Sequence, residues 1–188
     1  MDRVSIIVAT FGSSQWARLA DERAIPSALA QGCQVVIEHG KTLADTRNHA
    51  AGQATGDWLV FLDADDELEP GYAASVLRGS GDLRVSPLIE VDRGRRRRVR
   101  LASRYIEVLN PCHVGTAIRR RMFESCGGFP EFEAWEDWGL FLRAHRRGAT
   151  IEHLPADRPA YLATVRPDSM NRSPFDREDL HDRIRAWA

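Results

Sequence analysis

Trp58-Leu59-Val60-Phe61-Leu62-Asp63-Ala64-Asp65-Asp66 is the stretch on which the fold turns. From Asp57 to Leu62 the chain is apolar apart from its first residue, too short for a core helix, and it fits a strand buried on both faces. The acidic cluster then stops it. In an extended chain residues two apart project to the same side, so Asp63 and Asp65 are expected to point together from the strand end. Two convergent carboxylates suit a hard cation: magnesium or manganese there would bridge to a diphosphate and complete its coordination with water and phosphate oxygens. The carboxyl end of a parallel strand is also where open α/β sheets bind ligands. Read from spacing alone, the same residues serve equally as an acidic turn capping the helix that follows.

Outward from this strand, the first half of the chain alternates strand and helix signals. Val4 to Thr10 is a β-branched, nearly continuous apolar run broken by Phe11-Gly12-Ser13-Ser14. Residues 15–31 read as helical, with Pro26 as a kink or restart. Gln34 to Glu38 gives a short second strand, and Thr42 to Ala54 a helix whose Thr42 and Asp45 have near-capping-box spacing. Pro70 opens a further helix through Arg78. Strand, helix, strand, helix, strand, helix implies an α/β fold with a mostly parallel sheet covered by helices.

The second half is less regular. Leu83 to Val91 and Arg97 to Leu109 read as a strand pair joined through Asp92-Arg93-Gly94, with the basic run on the connection. Cys112 to Ile118 reads as a strand and Arg119 to Ser125 as a short helix, with a break at Gly127-Gly128. Glu136 to Arg147 is the clearest later helix. Strand candidates follow near Thr150 to Leu154 and Ala160 to Val165, then a closing helix from Ser173 to Ala188. No repeat or linker divides the chain, so one domain over residues 1–188 is expected.

Composition agrees with a packed domain: 188 residues, 43% hydrophobic and 28% charged, exclude disordered and collagen-like classes. The apolar runs fall far short of the roughly 18 residues a membrane helix needs. The start of the chain lacks a basic leader and cleavage site, and Cys33, Cys112 and Cys126 are too few and irregular for a disulfide framework or a zinc site. A cytoplasmic protein is expected. The net charge of -1 argues against a surface given over to nucleic acid.

Further candidate residues lie outside this strand end. Glu136-Asp137 opens the helix Trp138-Gly139-Leu140-Phe141-Leu142-Arg143; its carboxylates suit the helix dipole, and one facing a cleft would accept a proton from an acceptor hydroxyl. Arg47, in Thr46-Arg47-Asn48, would add donors to an anion site, and Glu38 could accept hydrogen bonds from a base or ribose; both also read as ordinary surface residues. The run Arg95 to Arg98 could draw in a phosphorylated acceptor, an anionic lipid surface or DNA, but the favoured reading is a solvated, charged edge strand. Cys112 and His113, adjacent in a strand, would face opposite ways and are not expected to pair.

Taken in order, these segments resemble the family 2 glycosyltransferases of the GT-A fold. The resemblance runs from Val4 to about Arg172 and rests on Val4–Phe11, Ala44-Asp45-Thr46-Arg47-Asn48, Gly56–Asp66, Gly127-Gly128-Phe129-Pro130-Glu131 and Glu136–Arg143. It implies a mostly parallel central sheet with flanking helices and a small antiparallel part. It further implies that Thr10, Phe11, Glu38, Arg47 and Asp63 hold a nucleotide, that Asp65 holds manganese or magnesium, and that Asp137 is the base of an inverting transfer. The donor would be a nucleotide sugar, a UDP-sugar on family grounds, and the acceptor a glycan, lipid-linked group, protein or modified nucleobase. Two departures stand out. Glu38-His39-Gly40-Lys41 leads directly into Thr42 where the family carries a longer turn. Arg166 stands where many members have a histidine, so Arg166 is expected to contact the diphosphate; His113 and His153 are candidates to replace that histidine at the metal, but the favoured reading of each is a structural histidine. The rival readings are a non-catalytic nucleotide- or glycan-binding module, a sugar nucleotidyltransferase, and an adaptor acting through the arginine run.

Overall fold

The computed structural model describes residues 2–101, 105–167 and 176–188. Its main sheet has six strands in the order β2-β1-β3-β8-β5-β9. β1 (Val4–Phe11) pairs in parallel with β2 (Gln34–Gly40) and β3 (Trp58–Leu62). β8 (Ala117–Arg119) runs antiparallel to β3 and to β5 (Leu83–Val85), which pairs in parallel with β9 (Ile151–His153).

The two-sided burial expected of the central strands is present and follows the period of two. Ile7, Leu59 and Phe61 join one core layer, whereas Ile6, Val8, Val60 and Leu62 join the other. Helices α1 (Ser14–Glu22), α2 (Ala24–Leu29) and α4 (Tyr72–Val76) bring Ala20, Ala24, Ala28, Tyr72 and Val76 to the second layer. Helices α3 (Leu43–Gly52), α5 (Arg120–Cys126), α6 (Glu136–Arg146) and α7 (Arg177–Trp187) cover the first. Phe61 ties the layer together, with its ring edge-on to Phe129 at 4.7 Å. Truncating a side chain so buried costs about 3–5 kcal/mol. Among the described residues no helix is long and apolar enough to cross a membrane.

Local chemistry explains most boundaries. Ser13 and Thr42 cap α1 and α3 by accepting from the amides of Gln15 and Asp45. The helical stretch over 15–31 divides at Arg23, and Pro26 falls in the first turn of α2, where its missing N–H costs nothing. Gly127 and Gly128, at φ 77° and 79°, end α5 in the left-handed region. A side chain at Gly128 would meet Asn48 Oδ1 at 2.3 Å. That space lets Asn48 dock on the neighbouring backbone: Phe129 N donates to its Oδ1 at 2.8 Å and its Nδ2 donates to the Phe129 carbonyl at 2.9 Å.

The second half departs from expectation in three places. Leu83 to Val91 is not one strand: at Ser86-Pro87 the chain leaves the main sheet, and β6 (Leu88–Asp92) enters a second sheet of order β4-β10-β6-β7. There β4 is Glu67–Leu68, β7 is Arg95–Val99 and β10 is Tyr161–Thr164. The connection between β6 and β7 is the tight pair Arg93-Gly94, both at positive φ (47° and 81°), which fits a type I′ turn and places the arginine run on the strand itself. Of the expected strand Arg97 to Leu109, only its beginning is in β7; residues 102–104 lie outside the described residues, and 106–108 form a turn. Cys112 to Thr116 is a loop, and only Ala117–Arg119 pairs in the sheet, because His113 and Thr116 close a turn through Thr116 N and the His113 carbonyl at 2.8 Å. The start of the expected closing helix, 173–175, and residues 168–170 after Arg166 also lie outside the described residues.

Candidate active site

The carboxyl ends of β1 and β3, the start of α6 and one face of the second sheet enclose a cleft of about 480 Å³, lined by Thr10, Asp63, Asp65, Trp135, Asp137 and Arg166 among others. Its centre is Arg47. The α3 helix carries this side chain, only 3% exposed, between two carboxylates: Nη2 donates to Asp63 Oδ1 at 2.5 Å and Nη1 to Glu136 Oε1. Its guanidinium carbon lies 5.0 Å from the centroid of the Phe129 ring. Burial alone would lower the basicity of Arg47, but Asp63 and Glu136 outweigh it and hold the group above its ordinary value. Arg47 is therefore a strut between the two walls of the cleft.

Asp137 follows Glu136 in the first turn of α6. Its Oδ1 accepts from Trp138 N at 2.8 Å and its Oδ2 from Asn110 Nδ2 at 3.0 Å. Burial, and then the charge of Glu136 beside it, push its pKa up to about 7. A carboxylate so placed can accept a proton near neutral pH. Trp135, which caps α6 from a left-handed conformation (φ 58°) and lines the cleft, is costly backbone for an aromatic residue and the kind of strain found at functional sites.

Across the cleft, the acidic cluster is a turn closed by Asp66 N on the Asp63 carbonyl at 3.1 Å, so the period-two argument for Asp63 and Asp65 does not hold. Both line the cleft, but Asp63 is bound to Arg47, whereas Asp65 Oδ2 lies 3.7 Å from Arg166 Nε. Burial and then the charge of Asp63 raise the pKa of Asp65 to about 6. Asp66 points into the structure: its Oδ2 accepts from the Tyr161 hydroxyl and its Oδ1 from Thr164 N, each at 2.7 Å. The Tyr161 hydroxyl also accepts from Asp63 N at 3.2 Å, so β10 holds the turn in place.

Thr10 and Phe11 line the cleft as expected, and Arg166 stands 5.3 Å over the Trp16 ring beside Asp65. Glu38 is the expected site residue that the structure does not bring there. Its side chain lies against α3, with Oε2 accepting from Gln53 Nε2 at 2.7 Å and Oε1 3.0 Å from His49 Nδ1. The direct run into Thr42 brings α3 up against β2, and His49 of α3 and Gln53 at its C-cap are the polar partners of Glu38. His153 lies on β9, at the edge of the main sheet and outside the cleft lining. His113 lines the cleft, but its Nε2 is 3.1 Å from the Ser86 carbonyl and 3.2 Å from Ser86 Oγ, and burial pushes its pKa down to about 4.

No group of three or more His, Cys, Asp or Glu that could hold a metal occurs among the described residues. Asp65 nevertheless offers hard carboxylate oxygens to an open cleft, which fits magnesium or manganese held through one or two carboxylates and substrate phosphates. Sequence reasoning missed Asn110 and Tyr161, which hold Asp137 and Asp66; single polar residues far along the chain carry no local signal. Glu136 was legible as half of a pair, but its partner was not.

The chain belongs to glycosyl transferase family 2, whose model matches residues 21–127. That span includes Arg47, Asp63 and Asp65, and the fold brings Asp137 to them from beyond it. An 83-residue stretch, 44% of the chain, is 31% identical to "Putative glycosyltransferase EpsH" of Bacillus subtilis (strain 168), covering 23% of that protein. Among solved structures, the 1–349 fragment of S. aureus TarS in complex with UDP-GlcNAc superposes with a TM-score of 0.74 at 20% identity, over 98% of this chain and 65% of that one. The same fragment with UDP gives 0.64 at 20% identity, over 98% and 70%. The fold is thus the GT-A fold of these transferases, and the chain spans about two thirds of the TarS fragment and under a quarter of EpsH.

Proposed function

We propose that the chain transfers a sugar from a UDP-sugar to an acceptor hydroxyl with inversion, with Asp137 as the general base. The observation that carries this reading is a carboxylate facing the cleft, with its pKa pushed up to about 7 and its Oδ2 fixed by Asn110, opposite the strand ends where α/β sheets bind nucleotides. The acceptor oxygen attacks the anomeric carbon as the bond from that carbon to the diphosphate oxygen breaks. The acceptor proton passes to Asp137, and the electron pair of the broken bond leaves with UDP. Thr10, Phe11 and Asp63 border the nucleotide, and Arg166 reaches its phosphates. Asp65 is the residue that would hold manganese or magnesium. Such an ion, when bound, supplies positive charge to the diphosphate as it departs.

The TarS fragment with UDP-GlcNAc supports the choice of donor, and that sugar is the first to try. The test measures thermal stability with UDP, UDP-GlcNAc and other nucleotide sugars in manganese, magnesium or chelator, since ligands that bind only the native state raise it. A metal-dependent rise with a UDP-sugar is expected. The anomeric configuration of the transferred sugar, read by NMR, should be the opposite of the donor's; retention would overturn the base assignment.

A further inference from the structure

Arg95, Arg96, Arg97 and Arg98 are all exposed on β7, the edge of the second sheet, and strand register gives them two different settings. Leu88 stands opposite Val99, Glu90 opposite Arg97 and Asp92 opposite Arg95. Directly opposed residues share a face of the sheet. The parallel pairing of β6 with β10 continues that face through Tyr161, opposite Leu88, and Ala163, opposite Glu90. Leu88, Glu90, Tyr161 and Ala163 all line the cleft. Arg95 and Arg97 therefore extend the wall of the cleft beyond its rim.

Arg96 and Arg98 stand on the other face, where both are occupied: Arg96 is paired with Glu69, and Arg98 Nη1 donates to the Ala156 carbonyl at 2.6 Å. They tack the edge strand to the body. Arg97 is likewise paired with one carboxylate, but that carboxylate, Glu90, lines the cleft, and the Arg97 side chain stays 75% exposed against 51% for Arg96. A guanidinium has five donor hydrogens, so this pairing leaves several for a ligand. Between residues 88 and 100 six arginines face two carboxylates, Glu90 and Asp92, so the hairpin remains positive. Protecting a sheet edge needs charge of any kind and does not call for a carboxylate of the cleft to hold one guanidinium at its rim.

We propose that Arg95 and Arg97 form a phosphate-binding ledge beside the cleft, through which the protein takes an acceptor that carries a phosphate ester as well as the hydroxyl to be glycosylated. The proposal rests on the transferase reading of the cleft and names the class of acceptor for it. Planar guanidinium groups suit phosphate, with which they form paired charge-assisted hydrogen bonds.

The test uses isothermal titration of the whole chain with UDP, then with sn-glycerol 3-phosphate and with glycerol in the presence of UDP. Three proteins are compared: wild type, the cleft-face pair Arg95→Ser with Arg97→Ser, and the back-face pair Arg96→Ser with Arg98→Ser. All three should bind UDP alike. Wild type and the back-face pair should bind sn-glycerol 3-phosphate and ignore glycerol, while the cleft-face pair binds it about tenfold more weakly. Equal weakening in both pairs, or none in the cleft-face pair, overturns the ledge. Absence of UDP binding in folded wild type overturns the transferase reading instead. Vesicles of phosphatidylglycerol in phosphatidylcholine separate the sources of the phosphate. Vesicle binding lost only in the cleft-face pair assigns a lipid head group, and vesicle binding indifferent to face overturns the ledge. Arg97→Gln alone, which keeps size and polarity, is the milder variant if a double substitution does not fold.

Discussion

The two acidic pairs of the cleft, Asp63 with Asp65 and Glu136 with Asp137, come from opposite walls and divide their labour in the same way. All four line the cleft, but in each pair the first carboxylate is tied to Arg47 and the second is not. The tied members differ in exposure, 36% for the Asp63 side chain and 11% for Glu136, but they serve one buried cation. The second members are both raised by burial and by the neighbouring charge of their own pair. A short acidic motif thus supplies one group that joins the walls and another whose affinity for a proton or cation the first one tunes.

The largest way to break this comparison is at the second member on α6. Asp137→Asn should lower turnover about a thousandfold, within the range of lost general-base catalysis, while UDP binding measured by titration stays within about twofold. Turnover near normal would remove Asp137 as the base. Next is the shared cation: Arg47→Met leaves Asp63 and Glu136 without their common partner and should cost about 3 kcal/mol in a denaturant titration. A loss below about 0.5 kcal/mol, the size of an exposed pair, would show that the walls do not depend on the strut.

The strand-end pair is tested by contrasting its members. Asp65→Asn should weaken metal-dependent UDP binding about tenfold with little change in stability, whereas Asp63→Asn should lower the melting temperature through its loss from Arg47. Equal effects on both readouts would dissolve the division of labour. The smallest expected effect lies in the pH profile. Asp137 must be deprotonated to accept a proton, so turnover should rise about tenfold per pH unit on the acid side of its pKa and level off above it. Glu136 and Asp63 raise that pKa and Arg47 lowers it, with burial the largest cause. Glu136→Gln removes one of the raising charges and should move the acid limb to lower pH; a limb that stays put or rises would separate Glu136 from the tuning of Asp137.

Legibility followed distance along the chain. β1, β3 and α6 were readable because continuous apolar runs and helix starts are local patterns, and their boundaries shifted by a residue or so. The strand expected from Leu83 to Val91 was misread because nothing local says that β5 and β6 belong to different sheets, although Pro87 marks the place. Glu38 was expected at the nucleotide from the family resemblance, yet His49 of α3 and Gln53 just after it lie close enough to take its carboxylate. Arg47 was expected at the nucleotide, but its place between two carboxylates was not legible because both partners lie elsewhere in the sequence, the farther one in α6. The arginine run looked uniform in sequence, and pairing with β6 gave alternate members different partners.

The sequence by itself determined an α/β chain with buried central strands, an acidic cluster at the end of one of them and a Glu-Asp pair opening a helix, because hydrophobic period, capping and breaker chemistry act over a few residues. The tertiary structure alone decided which carboxylate of each pair is tied to Arg47. That choice depends on where one guanidinium is buried, and a charge removed from water must take its partners from whatever the fold brings within a few ångströms.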